Sequence, residues 1–400
     1  MDLLGPLSEG SRTALGFFWK SGWAFVLGYF ISAMIQAFVP KSRLTKHMGD
    51  PSAGSITLAT IFGSISSSCS FAALSAARSL ILKGAHFVAG VAFMFASTNL
   101  VIELGILIFI FLGWEFVVAE LIGGVVMIVV SATIIRATYP RSWLESARER
   151  VEDVDGEEDE FDWRERIRSP EGWRRVGHNF VSEWGMVWEE ILIGFTIAGF
   201  VAVLVPTSWW GAIFLLDLQG ELPQWLIVLE NALVAPFVAA ATFIGSMGNI
   251  PLATVLSSNG VLFAGIMGFI YSDLIVPPLV AVNAKYYGWR VALYIAAVMY
   301  VSMVSTALLL HVVFGALGVT PESQRVVEEA TRFAIDYTFW LNLIMAFVAA
   351  WLVWLHRRFL ASGMGGDGME MPGGGPVKRA VALAAAAALM VGAGVWLGGI

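Results

Sequence analysis

The chain has 400 residues, of which 58% are hydrophobic and 14% charged, with a mean hydropathy of +0.75 and a net charge of −7. A soluble globular chain carries about 25% charged residues, so this composition excludes a soluble domain and predicts a polytopic, all-α integral membrane protein. One cysteine excludes an internal disulfide framework and a cysteine-built zinc cluster, and an acidic balance without a basic stripe excludes a nucleic-acid binder.

A bilayer core takes about 20 apolar residues per helix. Windows of that kind fall near residues 15–39, 53–77, 85–110, 114–135, 187–206, 225–247, 260–282, 290–315, 333–355 and 378–400. They predict about 8–10 transmembrane helices; the alternation that a barrel requires is absent. The opening MDLLGPLSEGSR has no cationic region followed by a cleavage site, so the first apolar run is expected to be retained. The expected division is a first membrane half over 1–136 and a charged loop over 137–185, then a second half over 186–316 and a further helix over 317–362. A Gly-rich linker over 363–376 and a last helix over 377–400 complete it.

The loop contains VEDVDGEEDEFDWRERIRSPEGWRR, residues 151–175. It reads as a solvated connector, and its arginines place it on the cytoplasmic side of the cytoplasmic membrane.

The two halves align with each other. GSISSSCSFAALS at 63–75 lies on GSMGNIPLATVLS at 245–257, pairing Gly63 with Gly245, Cys69 with Pro251 and Ser75 with Ser257. Six extra residues in the first copy then precede Gly84, which meets Gly260. Phe87 meets Phe263, Phe93 meets Phe269, and Gly113–Trp114 meets Gly288–Trp289. This pattern predicts a duplication. In both copies the paired segment opens on helix-disfavouring residues, SISSSCS and MGNIP, in which Gly248 loosens the backbone and Pro251 removes a donor. Interrupted apolar segments at equivalent places in two halves point to a midplane binding site. Ser67, Ser68, Cys69, Ser70, Asn99, Asn249 and Pro251 are therefore the expected lining of a substrate path.

An ionisable group inside a span is costly and is a functional candidate by default. Asp273, in GFIYSDLIVPPLVAVN, is the strongest, midway along an apolar run and just before Pro277–Pro278. A proton-coupled carrier needs one carboxylate that gains and loses a proton as access alternates. A helix cap, or a partner of an interior Asn or of Lys285, is the structural alternative. In the first copy Thr98 or Asn99 stands opposite Asp273, and Glu103 follows one turn later as a second coupling candidate. Glu103, Glu120 and Glu230 read as nearer the interfaces, and Lys285, Arg290 and Tyr286–Tyr287 as an interfacial belt. No His spacing suits a metal and no GxxxxGK[ST] loop is present, so neither a metal nor a cofactor is expected.

Two long motifs carry a family resemblance. SCSFAALSAARSLILKGAHFVAGVAFMFASTNL and GNIPLATVLSSNGVLFAGIMGFIYSDLIVPPLVAVNAKYYGWRVALY resemble the paired signatures of predicted permeases related to the ArsP-type organoarsenical efflux permeases. The resemblance covers about residues 55–135 and 225–310. It implies a multi-span permease with both motifs near the transport path, and Cys69, Asn249, Pro251 and Asp273 as site residues. Some members are exporters of trivalent organoarsenicals. The family's first motif often reads Cys-Ser-Cys followed by Gly; here Phe71 stands in place of the second thiol.

The expectation is a secondary, proton-coupled permease or exporter of a small solute, an organoarsenical or other metalloid compound among the candidates. It would not be an enzyme, and its partners would be the solute, protons, the lipid bilayer and further copies of itself. The alternative is a channel-like pore, or a membrane subunit of a larger complex without its own coupling.

Overall fold

The computed structural model describes residues 4–38, 48–66, 70–82, 84–138, 163–242, 244–321, 327–362 and 376–398. They are helical throughout, apart from turns and one isolated bridge between Gln219 and Leu222. Among the described residues, eight helices are long and apolar enough to cross a bilayer, and a ninth span results if the bent pair Phe87–Asn99 and Ile102–Phe111 counts as one. This is a multi-pass, all-α membrane protein.

The first stretch comprises α1 (Leu4–Phe38), α2 (Ala53–Ile65), α3 (Ser70–Leu82), α4 (Phe87–Asn99), α5 (Ile102–Phe111) and α6 (Trp114–Thr138). The apolar window at 53–77 is thus two short helices rather than one span. After α7 (Trp163–Arg168), α8 runs over Pro170–Leu204. It begins well before the apolar window at 187, because Ser169 caps it by accepting from Gly172 N at 3.0 Å and Pro170 supplies a preset φ. Val176, Phe180 and Val187 form a buried face, while Arg174 and Arg175 lie only partly covered. The second half of the expected charged loop is therefore amphipathic helix.

The second stretch comprises α9 (Thr207–Ile213), α10 (Gln224–Thr242), α11 (Ser246–Ser258), α12 (Phe263–Ile270), a 3₁₀ turn Tyr271–Ile275, α13 (Pro277–Tyr287) and α14 (Trp289–Leu317). Then come α15 (Val327–Ala330), α16 (Tyr337–Ala361) and α17 (Pro376–Gly398).

α1 and α8 form the central antiparallel pair. Ala14 meets Gly199 near one end and Phe38 stacks edge-on against Trp173 near the other, with ring centroids 5.5 Å apart. Phe17, Phe25 and Phe195 interlock between them with centroids 5.7–6.3 Å apart. Edge-to-face pairs of this kind add about 0.5–1.5 kcal/mol each beyond their buried area. α16 and α17 are peripheral. Trp340, Phe347, Leu383 and Met390 stand exposed on them, an apolar surface that lipid covers.

The helix starts recur in the two stretches. α3 and α11 open at Ser70 and Ser246, Gly84 and Gly260 turn the chain at φ +103° and +84°, and α4 and α12 open at Phe87 and Phe263. Each of these pairs is 176 residues apart. Gly113 and Gly288, at φ +113° and +86°, then precede α6 and α14, which open on Trp114 and Trp289. These left-handed turns favour glycine because a Cβ would strain them.

Candidate functional site

The span that begins with α12 is interrupted by its own sequence. Pro277 has no N–H to donate and forces Val276 into extended backbone at ψ 141°. The chain therefore leaves the α-helix at Tyr271 and tightens into the 3₁₀ turn. Asp273 lies in this interruption at 0% exposure. Its Oδ2 accepts a 2.8 Å hydrogen bond from Ser70 Oγ, at the first residue of α3. Its Oδ1 has no hydrogen-bond partner among the described residues.

Asn99 occupies the corresponding interruption in the first stretch. It is the last residue of α4, where the axis bends by 42° into α5. Its Nδ2 donates to Phe95 O and Thr98 Oγ1, at 3.2 and 3.1 Å. Its Oδ1 is buried with no partner among the described residues. Glu103, in the first turn of α5, is buried with its Cγ against Gly28 of α1.

Asn249 and Pro251 lie differently from expectation. The MGNIP segment does not break a helix; it forms the first turns of α11, and the interruption falls just before it, ahead of Gly245. The reason is visible in the side chains. Asn249 reaches back, its Nδ2 3.5 Å from Ile244 O and its Oδ1 3.4 Å from Thr242 Oγ1, so it staples the two sides of the interruption together. Pro251, in the second turn, removes one intrahelical donor without ending the helix. Gly248 serves close packing: a Cβ on Gly194 of α8 would lie 2.6 Å from Gly248 Cα. Ser70 starts a helix as described, with Ser66 ending the preceding turn. Ser67, Ser68 and Cys69 lie outside the described residues.

Three groups at the site were not among the residues that the sequence assigned to it. Glu120 was expected near an interface, yet it is 1% exposed in the second turn of α6, with neither carboxylate oxygen hydrogen-bonded among the described residues. The adjacent Gly123 and Gly124 were the available signal, since small residues on one face mark close helix contact. Tyr271, fully buried, donates to Ala119 O at 3.3 Å, with its hydroxyl in the notch left by Gly123. Glu190 of α8 accepts from Lys378 Nζ of α17 at 2.7 Å, with its other oxygen against Gly245. Glu190 is near enough for its charge to act on Asp273, and Asp273 near enough to act on Glu120. The expected interfacial pair is also partly inward: Tyr287 is buried, and Tyr286 meets Ser75 at 3.2 Å while Arg78 lies over its ring at 4.5 Å.

Two interrupted spans therefore carry polar groups at their breaks, and two buried carboxyls, Asp273 and Glu120, lie near each other with no cation paired to them among the described residues. Such an arrangement can exchange protons or a small polar solute when water reaches it. The model of the ArsP_1 family, described as "Predicted permease", matches residues 9–312. "Putative permease Rv2963" of Mycobacterium tuberculosis is 36% identical over 351 residues, covering 84% of each chain. No solved structure matches the chain. The chain belongs to this predicted permease family.

Proposed function

We propose that this family member is a proton-coupled secondary permease of the cytoplasmic membrane that exports a small solute. Asp273 is its coupling group. One observation carries the reading: a carboxyl at the interruption of a span, fully buried, whose side-chain hydrogen-bond partner is the Ser70 hydroxyl. A charge left in that setting is costly, so its protonation state follows its access to water. The solute path runs along the interruptions near Ser70, Asn99 and Asn249. The mono-organic trivalent arsenicals exported by some relatives of the resembled family are the first solute class to try.

The paired helix starts support a duplicated architecture that rocks about the site. They favour a register without the six-residue insertion, in which Ser70 pairs with Ser246 and Ser97, rather than Thr98 or Asn99, stands opposite Asp273. Reciprocal packing supports it as well. α3 touches α13 through Ser75 and Tyr286, and α11 reaches α5 through Thr254 Oγ1, 3.5 Å from Phe111 O.

The test has two steps. Growth of expressing cells against methylated trivalent arsenicals, other metalloids and sulfur compounds identifies a solute. Its uptake into proteoliposomes under an imposed pH gradient is then measured for wild type and Asp273→Asn. The variant should lose gradient-driven accumulation. Unchanged accumulation and pH dependence would sink the reading, and non-saturating flux without proton dependence would favour a channel.

A further inference from the structure

Glu120 has no role in the reading above. The residue is 1% exposed, its two carboxylate oxygens are acceptors, and among the described residues nothing donates to them. Asp273 Oδ1 is in the same state. An ionised Glu120 so placed is shielded from solvent with no donor to stabilise it, and an ionised Asp273 has the Ser70 hydroxyl as its side-chain donor, so each charge is costly to bury.

Among the described residues, the helices packed on α6 supply no buried compensating cation. α6 packs against α4, α5 and α14. α4 carries no charged residue, with His86 just before its start; α5 contributes Glu103, and α14 contributes His311 and the exposed Arg290. From the 3₁₀ turn come Tyr271 and Asp273. Asp273 is the charged group that acts on Glu120, with the same sign of charge. Tyr271 links the two: it stands two residues from Asp273, and its hydroxyl rests on Ala119 and Gly123, the α6 face that carries Glu120.

We infer that Glu120 is a second proton-binding group, so that the site takes up two protons per cycle, one on Glu120 and one on Asp273. This rests on the reading of Asp273 as the coupling group. Each carboxylate becomes a carboxylic acid with a proton from water on the open side, and returns it to water on the other. With both protonated, two hydrogen-bond donors replace two like charges, and the site closes without a net buried charge. Two carboxyls that sense each other titrate as a pair.

Infrared spectroscopy of the purified full chain in lipid tests this, through the carbonyl stretch of protonated carboxyls across a pH series. Glu120→Gln should remove one pH-dependent band and Asp273→Asn another, with the Glu120 band persisting in Asp273→Asn at a shifted midpoint. Carbodiimide labelling of wild type, read by mass spectrometry, needs no variant. It should mark Glu120 at least tenfold more at acid than at alkaline pH. A Glu120→Gln spectrum identical to wild type overturns the inference and leaves the Asp273 reading standing. Loss of the Glu120 band alone, with Asp273→Asn spectrally silent, overturns the Asp273 reading and the pairing with it. Protection of Glu120 from the label by sodium but not choline chloride overturns the inference in favour of a sodium site.

Discussion

Ser70 Oγ donates to Asp273 Oδ2 at 2.8 Å, joining residues 203 positions apart in the chain. The bond fastens the start of α3 to the interruption of the other stretch's span. Removing a donor from a buried carboxyl costs about 1–3 kcal/mol. Ser70→Ala should therefore lower thermal stability in detergent by about that much, and much less in an Asp273→Asn background. A double-mutant cycle reads the difference as a coupling energy of about 0.5–3 kcal/mol. Additive effects would show that the two side chains do not act as a unit.

The contact of α8 with α11 depends on two glycines. A Cβ on Gly194 would lie 2.6 Å from Gly248 Cα and 2.9 Å from its carbonyl oxygen. Backbone atoms cannot swing aside as a side chain can, so the helices must separate. Gly194→Ala should destabilise by about 1–3 kcal/mol, the usual scale of overpacking. Gly185→Ala, on the same helix with nothing within 4 Å of its added carbon, is the matched control and should leave the melting temperature unchanged. Equal effects of the two would indicate a propensity effect rather than packing.

The two substitutions above lie in regions that the sequence disclosed unequally. The long spans were legible because eighteen apolar residues in a row have few alternatives, and Asp273 was legible because a carboxylate in such a run is conspicuous. The start of α8 was not read from hydropathy, since Arg174 and Arg175 lower the average while Val176, Phe180 and Val187 still line one face. Its cap, Ser169 followed by Pro170, was there to be used. The location of the second interruption was missed because Gly248 and Pro251 carry helix-breaking propensities that tertiary context overrode: Gly248 serves a close crossing and Asn249 binds back across the gap. Glu120 was named but misplaced for a different reason, with Gly123 and Gly124 one turn on as the only hint of a close helix contact. A lone acid in an apolar helix looks the same from sequence whether it faces lipid, headgroups or another carboxyl.

His86 caps α4, its Nδ1 accepting from Val88 N at 3.2 Å. Burial, opposed by Asp50 and assisted by Arg136, holds this imidazole below its ordinary value of 6.5. A depressed value means that the fold prefers the neutral ring, whose lone pair is the acceptor. The cap is thus in place above about pH 6.5, the ordinary histidine range, and is lost as pH falls through the lower folded value. Hydrogen exchange at the amides of residues 87–90 should speed up on acidification. His86→Ala should show the faster exchange at every pH, with about 1 kcal/mol less local stability. Exchange in wild type that does not respond to pH would rule out the cap as the titrating element.

Lys378 anchors α17. Its Nζ lies 2.7 Å from Glu190 Oε1, with side-chain exposures of 24% and 10%. The pair is partly wet, so breaking it should cost less than the roughly 3–5 kcal/mol of a fully buried pair. Lys378→Met keeps the aliphatic stem but leaves Glu190 unpaired beside Gly245, and should loosen α17 by about 2 kcal/mol on the same scale. Hydrogen exchange over residues 376–398 would register this. Lys378→Glu should loosen it further, and Glu190→Lys in that background should restore much of the protection. Glu190 also acts on Asp273, so the reversed pair separates two effects. If α17 is only a tether, rescue of exchange restores transport as well. If the charge at position 190 sets the environment of Asp273, exchange recovers while the pH profile of transport stays displaced.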